Sequence, residues 1–364
     1  MIPAILYSTV FLYAVIIMTV IVAVKLSNQN YQMIRRGDNN SQIALIITFI
    51  FALWLGRRPL HSVFGDSYYY GHTFNLMKVY GIDGSSRVDD WLWNSLSYFC
   101  SQIMDVSAYF TIVSIGYFGF TFLACRILVK NNVLAALLFM FGAFSFYSYG
   151  TNGIRNGLAC SIVLFAIALY SSYRKGFIIT LILSFIAVNI HKSAILPLTS
   201  LFVSIYIIKS FKGAYTFWIL SIIISLIAGS FFNSFFAGLG FDDRLSYLTD
   251  QTHDKFSYTG FRWDFLIYSM MPILLGYYVV IKRGISDKVY LILLNTYTIS
   301  NAFWVMIIRA NFSNRFAYLS WFMLPIVLAY PLFKFDIWGD SQGKRASQIM
   351  LAHVGFTWFM AVVY

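Results

Sequence analysis

The sequence contains no glutamate. All 14 acidic residues are Asp, so any carboxylate chemistry rests on a handful of short side chains. Charge of either sign is scarce, at 11% of 364 residues, against 59% hydrophobic residues and a mean hydropathy of +0.71. That balance excludes a soluble domain and indicates a polytopic helical membrane protein. Cysteine is sparse: Cys100, Cys125 and Cys160 are scattered and imply neither a zinc site nor a disulfide framework. There is no glycine-rich phosphate cradle, no His-x-x-x-His pair and no serine nucleophile elbow. No internal repeat or low-complexity run is present. No charged residue falls midway along an apolar run, which argues against proton relays and ion-coupled transport.

What is present is a series of apolar runs separated by short polar breaks. They predict an all-α protein with about twelve spans, near 3–24, 43–56, 107–128, 131–150, 154–172, 176–190, 194–208, 214–236, 263–281, 289–308, 316–333 and 347–364, forming a single transmembrane domain over 1–364. The first run lacks a charged leader and reads as an anchor instead of a cleaved signal. The net charge of +12 would suggest nucleic acid in a soluble protein. Here its distribution orients the chain, and no nucleic-acid partner is expected. One side collects 15 of the 26 basic residues, including Arg174 and Lys175, but only four of the 14 Asp. By the positive-inside rule that side is cytoplasmic, which places both termini and the long loops on the outer side. The outer side carries two long loops, 57–106 with short interfacial helices and 237–262 with Asp242, Asp243, Arg244, Asp250, His253, Asp254 and Lys255.

The stretch from Gly150 to Pro197 organises the chain. Residues 176 to 208 number 33, too few for two full crossings of about 20 residues each. The turn at His191 is therefore expected at the membrane edge, where an ionisable group is a functional candidate. A neutral imidazole near pH 7 has the chemistry of a general base; a structural, hydrogen-bonded His is the alternative. Lys192 follows as a further cation. Arg57, Arg58, Arg155, Arg309 and Arg315 sit at outer span ends, where positive-inside predicts depletion. Guanidinium forks match phosphate oxygens, although each Arg could instead snorkel to the interface. Asp66 precedes Tyr70 and Phe74 at helical spacing, so it is either a helix N-cap or a group that orients a cation or accepts a sugar hydroxyl. The Tyr and Trp of this loop form either an interfacial belt or a sugar platform.

The order of these motifs resembles the EpsG-like and Wzy-type O-antigen polymerases. The resemblance is carried by Gly65, Asp66, Tyr70 and Phe74, then Asn152, Arg155 and Ala159, then His191 with Ser193, and finally Arg315 and Tyr318. The chain departs from the pattern at Pro59 and His61, at Asn156, and in the adjacency of Gly65 and Asp66. The resemblance implies a metal-independent, inverting glycosyltransferase of the GT-C type with no cofactor. Its donor would be a polyprenyl-diphosphate-linked glycan, its acceptor a lipid-linked repeat unit, and its protein partner a chain-length regulator. His191 and Asp66 would be catalytic, with Arg57, Arg58, Tyr70, Asn152, Arg155, Lys192, Arg309 and Arg315 binding diphosphate and glycan. An O-antigen ligase would use the same groups. A flippase of lipid-linked oligosaccharides would want a polar central cavity and pseudo-symmetric halves, which the sequence does not display.

Orientation is directly measurable. Cysteines introduced at Ser62 and Asn233 are expected to react with a membrane-impermeant reagent in intact cells, and one at Asn40 is not. The reverse pattern overturns the orientation.

Overall fold

The computed structural model describes residues 2–37, 40–82, 90–173, 176–238, 261–310 and 313–363. Arg174, Lys175 and the segment from Asp242 to Lys255 lie outside the described residues. Every regular element among those described is helical. Eight helices are long and apolar enough to cross a membrane, and Ser41–Gly56, Gly176–Ile190 and Lys192–Tyr206 are shorter apolar helices. The chain sorts into two compact units, Met1–His191 with Ala329–Tyr364, and Lys192–Leu328.

The first unit contains α1 (Tyr7–Ser27), α2 (Tyr31–Arg36), α3 (Ser41–Gly56), α4 (Asp66–Tyr80), α5 (Trp91–Ile103), α6 (Val106–Leu128), α7 (Val133–Phe141), α8 (Phe146–Thr151), α9 (Ile154–Ser172) and α10 (Gly176–Ile190). Local chemistry sets several starts. Asn30 accepts from the Met33 N–H to open α2, and Asp105 accepts from the Ala108 N–H to open α6. α3 packs on α6, α6 on α9, and α9 on α10. Every residue from Leu158 to Leu164 on α9 is buried, which makes that helix the axis of the unit. By contrast, Ile17 and Ile21 on α1 and Ile178, Ile182 and Phe185 on α10 are exposed. Such rows would be a liability in water and are ordinary facing lipid.

The second unit contains α11 (Ile195–Tyr206), α12 (Phe211–Gly238), α13 (Trp263–Gly276), α14 (Lys288–Met306) and α15 (Asn314–Trp321). α11, α12, α13 and α15 all pack on α14. Lipid supplies no hydrophobic drive between helices, so small and polar side chains join them. The Trp218 indole donates to Asn301 Oδ1 at 2.8 Å, Asn301 donates on to Ser320 Oγ at 3.0 Å, and Ser204 bonds Thr296 at 2.9 Å. α16 (Leu324–Lys334) is shared between the units at Ala329, and α17 (Gln342–Val363) returns to the first unit, where it packs on α1.

The expected single span over 131–150 is broken. α7 stops at Phe141 and α8 begins at Phe146, with Gly142 and Ser145 between them. Gly and Ser are common causes of such breaks. A broken helix frees carbonyls that lipid cannot satisfy. Two side chains of α17 meet them: His353 Nε2 donates to the Phe139 carbonyl at 3.0 Å, and Thr357 Oγ1 donates to the Gly142 carbonyl at 2.6 Å. Thr357→Val keeps the shape and removes the donor. It is expected to cost about 1 kcal/mol, measured as a lowered unfolding midpoint of the purified protein; an unchanged midpoint contradicts this role of α17.

Candidate active site

The segment between α3 and α6 is folded into the two helices α4 and α5, and a run of rings holds them. Tyr70 meets Trp93 edge-on at 6.0 Å between centroids, Trp93 packs on Tyr109 at 5.7 Å, and Tyr109 stacks on Phe74 at 4.8 Å. Part of the aromatic content expected to form a belt or a sugar platform is therefore interior packing, while Tyr69, Trp91 and Tyr98 remain exposed.

Asp66 is the first residue of α4, and the N-cap position belongs to Gly65, whose φ is +57°. This corrects the N-cap reading of Asp66. Any side chain at position 65 would be strained by that φ, and its Cβ would lie 2.5 Å from Asn152 Oδ1. Asn152 Oδ1 accepts from the Asp66 N–H at 2.7 Å, so it caps α4 from a distant part of the chain. Arg58 completes the clamp. It is buried, donates to the Leu55 carbonyl at 2.9 Å and to Ser67 Oγ at 2.7 Å, and lies 4.7 Å from the Phe110 ring centroid. Ser67 in turn donates to the Thr151 carbonyl. Burial lowers the Arg58 guanidinium to about 10, which leaves it charged at neutral pH. Nη1 and Nη2 are engaged by the protein, and Nε is buried with no hydrogen bond among the described residues, so Arg58 stands as an anchor and not at a ligand-facing surface. Arg57 beside it is exposed.

Arg155 and His191 converge on a carboxylate that the sequence did not single out. Asp90 stands just before α5 and is largely buried. One oxygen, Oδ2, accepts from Arg155 Nη1 at 3.0 Å and lies 3.2 Å from His191 Nδ1. Arg155 Nε also donates to the Tyr70 hydroxyl at 3.2 Å, and the guanidinium sits 4.9 Å from the Tyr70 ring centroid. Arg155 is the second residue of α9, a helix with no side-chain N-cap. A cation there opposes the helix dipole, and Asp90 offsets it. Gly157 lets this end of α9 pass the Tyr149 carbonyl, which a Cβ would meet at 2.3 Å.

His191 follows the last residue of α10 and is buried. An ionised Asp90 can only accept, so Nδ1 carries the proton and Nε2 presents its lone pair. Nε2 makes no hydrogen bond among the described residues. Nε2 is itself buried, and the fixed tautomer leaves it chemically able to accept a proton. Among the described residues no three His, Cys or Asp cluster as a metal site would require.

Asp66, Tyr70, Asn152, Arg155 and His191 thus belong to one unit, with Asp90, Ser67 and Thr151 added to them. Lys192 begins the second unit, to which Arg309 and Arg315 also belong. Arg309 is exposed, its guanidinium 5.8 Å from the Phe261 ring centroid and its Cδ where a Cβ at Gly229 would meet it at 3.3 Å, and Arg315 is half-buried in the first turn of α15. The family model described as EpsG family matches residues 43–362. The chain belongs to the EpsG family. That is a family of Wzy-like polysaccharide polymerases, which gives this member a role in polysaccharide biosynthesis. No curated protein and no solved structure matches the chain.

Two arginines of this EpsG-family chain are expected to separate cleanly. Arg58→Lys loses a buried hydrogen-bonded fork and is expected to cost about 2 kcal/mol of stability. Arg155→Lys is expected to leave the unfolding midpoint nearly unchanged and to lower polymer synthesis by at least about tenfold. Equal effects of the two substitutions on both measurements contradict the division.

Proposed function

We propose that this protein joins polyprenyl-diphosphate-linked oligosaccharide repeat units into a surface polysaccharide at the periplasmic face, by metal-independent inverting glycosyl transfer of the GT-C type. The observation that supports it most is the Asp90 carboxylate bonded both to Arg155 and to His191, whose Nε2 is unengaged. Each half of a glycosyl transfer from a diphosphate then has its group. The acceptor hydroxyl gives its proton to His191 Nε2 while its oxygen bonds to the anomeric carbon of the donor. The bond from that carbon to the phosphate oxygen breaks, and the polyprenyl diphosphate leaves with the bonding pair. A single displacement inverts the anomeric centre.

The charge that develops on the leaving diphosphate meets the Arg155 guanidinium and the uncapped N-terminus of α9. In this reading Arg155 does what a divalent cation does in other diphosphate chemistry. The exposed Arg57 is assigned to the second lipid-linked substrate. Asp66, held through its backbone by Asn152, is assigned to the sugar hydroxyls. The outward placement of the site rests on the uneven distribution of basic residues. The ligase reading uses the same groups and differs only in the acceptor.

The test is polymer formation from purified lipid-linked repeat units. His191→Ala and His191→Asn are each expected to lose about 10²- to 10⁴-fold in rate at unchanged folded yield, and wild-type turnover is expected to persist in EDTA. Near-normal turnover by His191→Asn removes it as the base. A requirement for an added divalent ion removes the metal-free step.

A further inference from the structure

We propose that Asp90 is a positioning residue that couples donor binding to the activation of His191: diphosphate draws Arg155 away from the shared carboxylate oxygen, and the carboxylate is then committed to the imidazole. This inference rests on the reading of Arg155 as a phosphate ligand and His191 as the base.

Three features of Asp90 carry it. First, the two contacts compete. Arg155 and His191 meet the same atom, Oδ2, at 3.0 and 3.2 Å, so the negative charge on that oxygen is divided between them. Second, the backbone at Asp90 is left-handed, with φ 48° and ψ 44°, the one positive φ at a non-glycine among the described residues. Asp tolerates that conformation less well than Gly, and Asn at least equally well. Third, Asp90 stands at the N-cap position of α5 yet makes no capping bond there, although capping is the usual task of Asp at that position. The carboxylate is turned instead toward two functional side chains, at the expense of local helix chemistry.

Accessibility orders the events. The Arg155 side chain is 23% exposed, against 9% for Asp90 and 4% for His191. An incoming diphosphate therefore meets Arg155 first. The guanidinium does not depend on Asp90 for its placement, because the Tyr70 hydroxyl and ring also hold it. It can tilt toward phosphate while remaining anchored. Phosphate then takes over the neutralisation of Arg155, and more of the Asp90 charge acts on His191 Nδ1–H. A carboxylate on Nδ1 raises the basicity of Nε2 and stabilises the imidazolium that forms on proton transfer. The base is thereby strengthened when a donor is in place, which limits proton abstraction from an acceptor that has nothing to attack.

The coupling makes two observables move in opposite directions. In Asp90→Asn the competitor for Arg155 is neutralised with no new demand on the backbone. Purified Asp90→Asn is expected to bind a sugar-free polyprenyl diphosphate roughly tenfold more tightly than wild type, while repeat-unit polymerisation falls by about 10²-fold. Asp90→Gly, which relieves the left-handed strain and removes the carboxylate altogether, is expected to behave the same way and serves if Asp90→Asn folds poorly. Weakened diphosphate binding together with lost turnover makes Asp90 a structural residue and overturns the proposal. Unchanged binding with lost turnover leaves Asp90 orienting His191 with no coupling, and overturns it as well. The underlying reading fails separately: it falls if Arg155→Ala binds diphosphate as wild type does, or if His191→Asn turns over normally, whatever Asp90 does.

Discussion

One oxygen atom, Asp90 Oδ2, accepts from a guanidinium and an imidazole that are 36 residues apart in sequence, and each of the three groups is placed by a different helix. α5 brings the carboxylate, the first turn of α9 brings Arg155, and the end of α10 brings His191. A buried carboxylate is costly unless paired, and a cation in the first turn of a helix works against the dipole. Either group alone would be a defect. Together they satisfy one another, and the imidazole is drawn into a fixed tautomer with Nε2 left over. The rest of the first unit can be understood as what keeps these three helix ends in register. The ring ladder through Tyr70, Trp93, Tyr109 and Phe74 seats α4 and α5 on α6. The Arg58, Ser67 and Thr151 contacts tie the start of α4 to the end of α8, immediately before α9.

The bilayer imposes a second constraint, that freed backbone groups be satisfied within the protein. Between α7 and α8 the expected span is interrupted, and α17 answers with His353 and Thr357 on the orphaned carbonyls. The interruption has a use in the fold. It lets α8 run only six residues, ending at Thr151, and Thr151 with the next residue Asn152 holds α4, so the broken helix sets where the candidate site begins. In the second unit the same constraint is met by hydrogen bonds between helices on α14.

Much of this architecture was legible in the apolar runs, because membrane length and a 3.6-residue period are strong signals. The helices α6, α9, α10 and α14 fall within a residue or two of their expected bounds. The break at Gly142 was not legible, since Gly142 and Ser145 interrupt a run that is otherwise mostly apolar and only the donors on α17 make the break tolerable. The candidate site was partly legible. Arg155 and His191 are conspicuous as ionisable groups at span mouths, and Gly65 with Asn152 were visible as motif residues, though not as contact partners. Arg58 was visible as a guanidinium, but its burial depends on Phe64, Phe110 and Ser67 folding over it. Asp90 left no local signal. An Asp just ahead of an apolar helix reads as an ordinary cap, and its diversion to Arg155 and His191 arises only when α5 packs on α10.

The central claim is that Arg155 and His191 address the two ends of one reaction. The most direct measurement is a cryo-electron-microscopy structure of the protein with a polyprenyl-diphosphate-linked repeat unit bound. The account predicts phosphate oxygens within about 3 Å of the Arg155 guanidinium, with the anomeric carbon of the donor sugar turned to the side of His191 Nε2. A donor whose diphosphate is held elsewhere, with Arg155 and His191 both out of contact with it, would contradict the account.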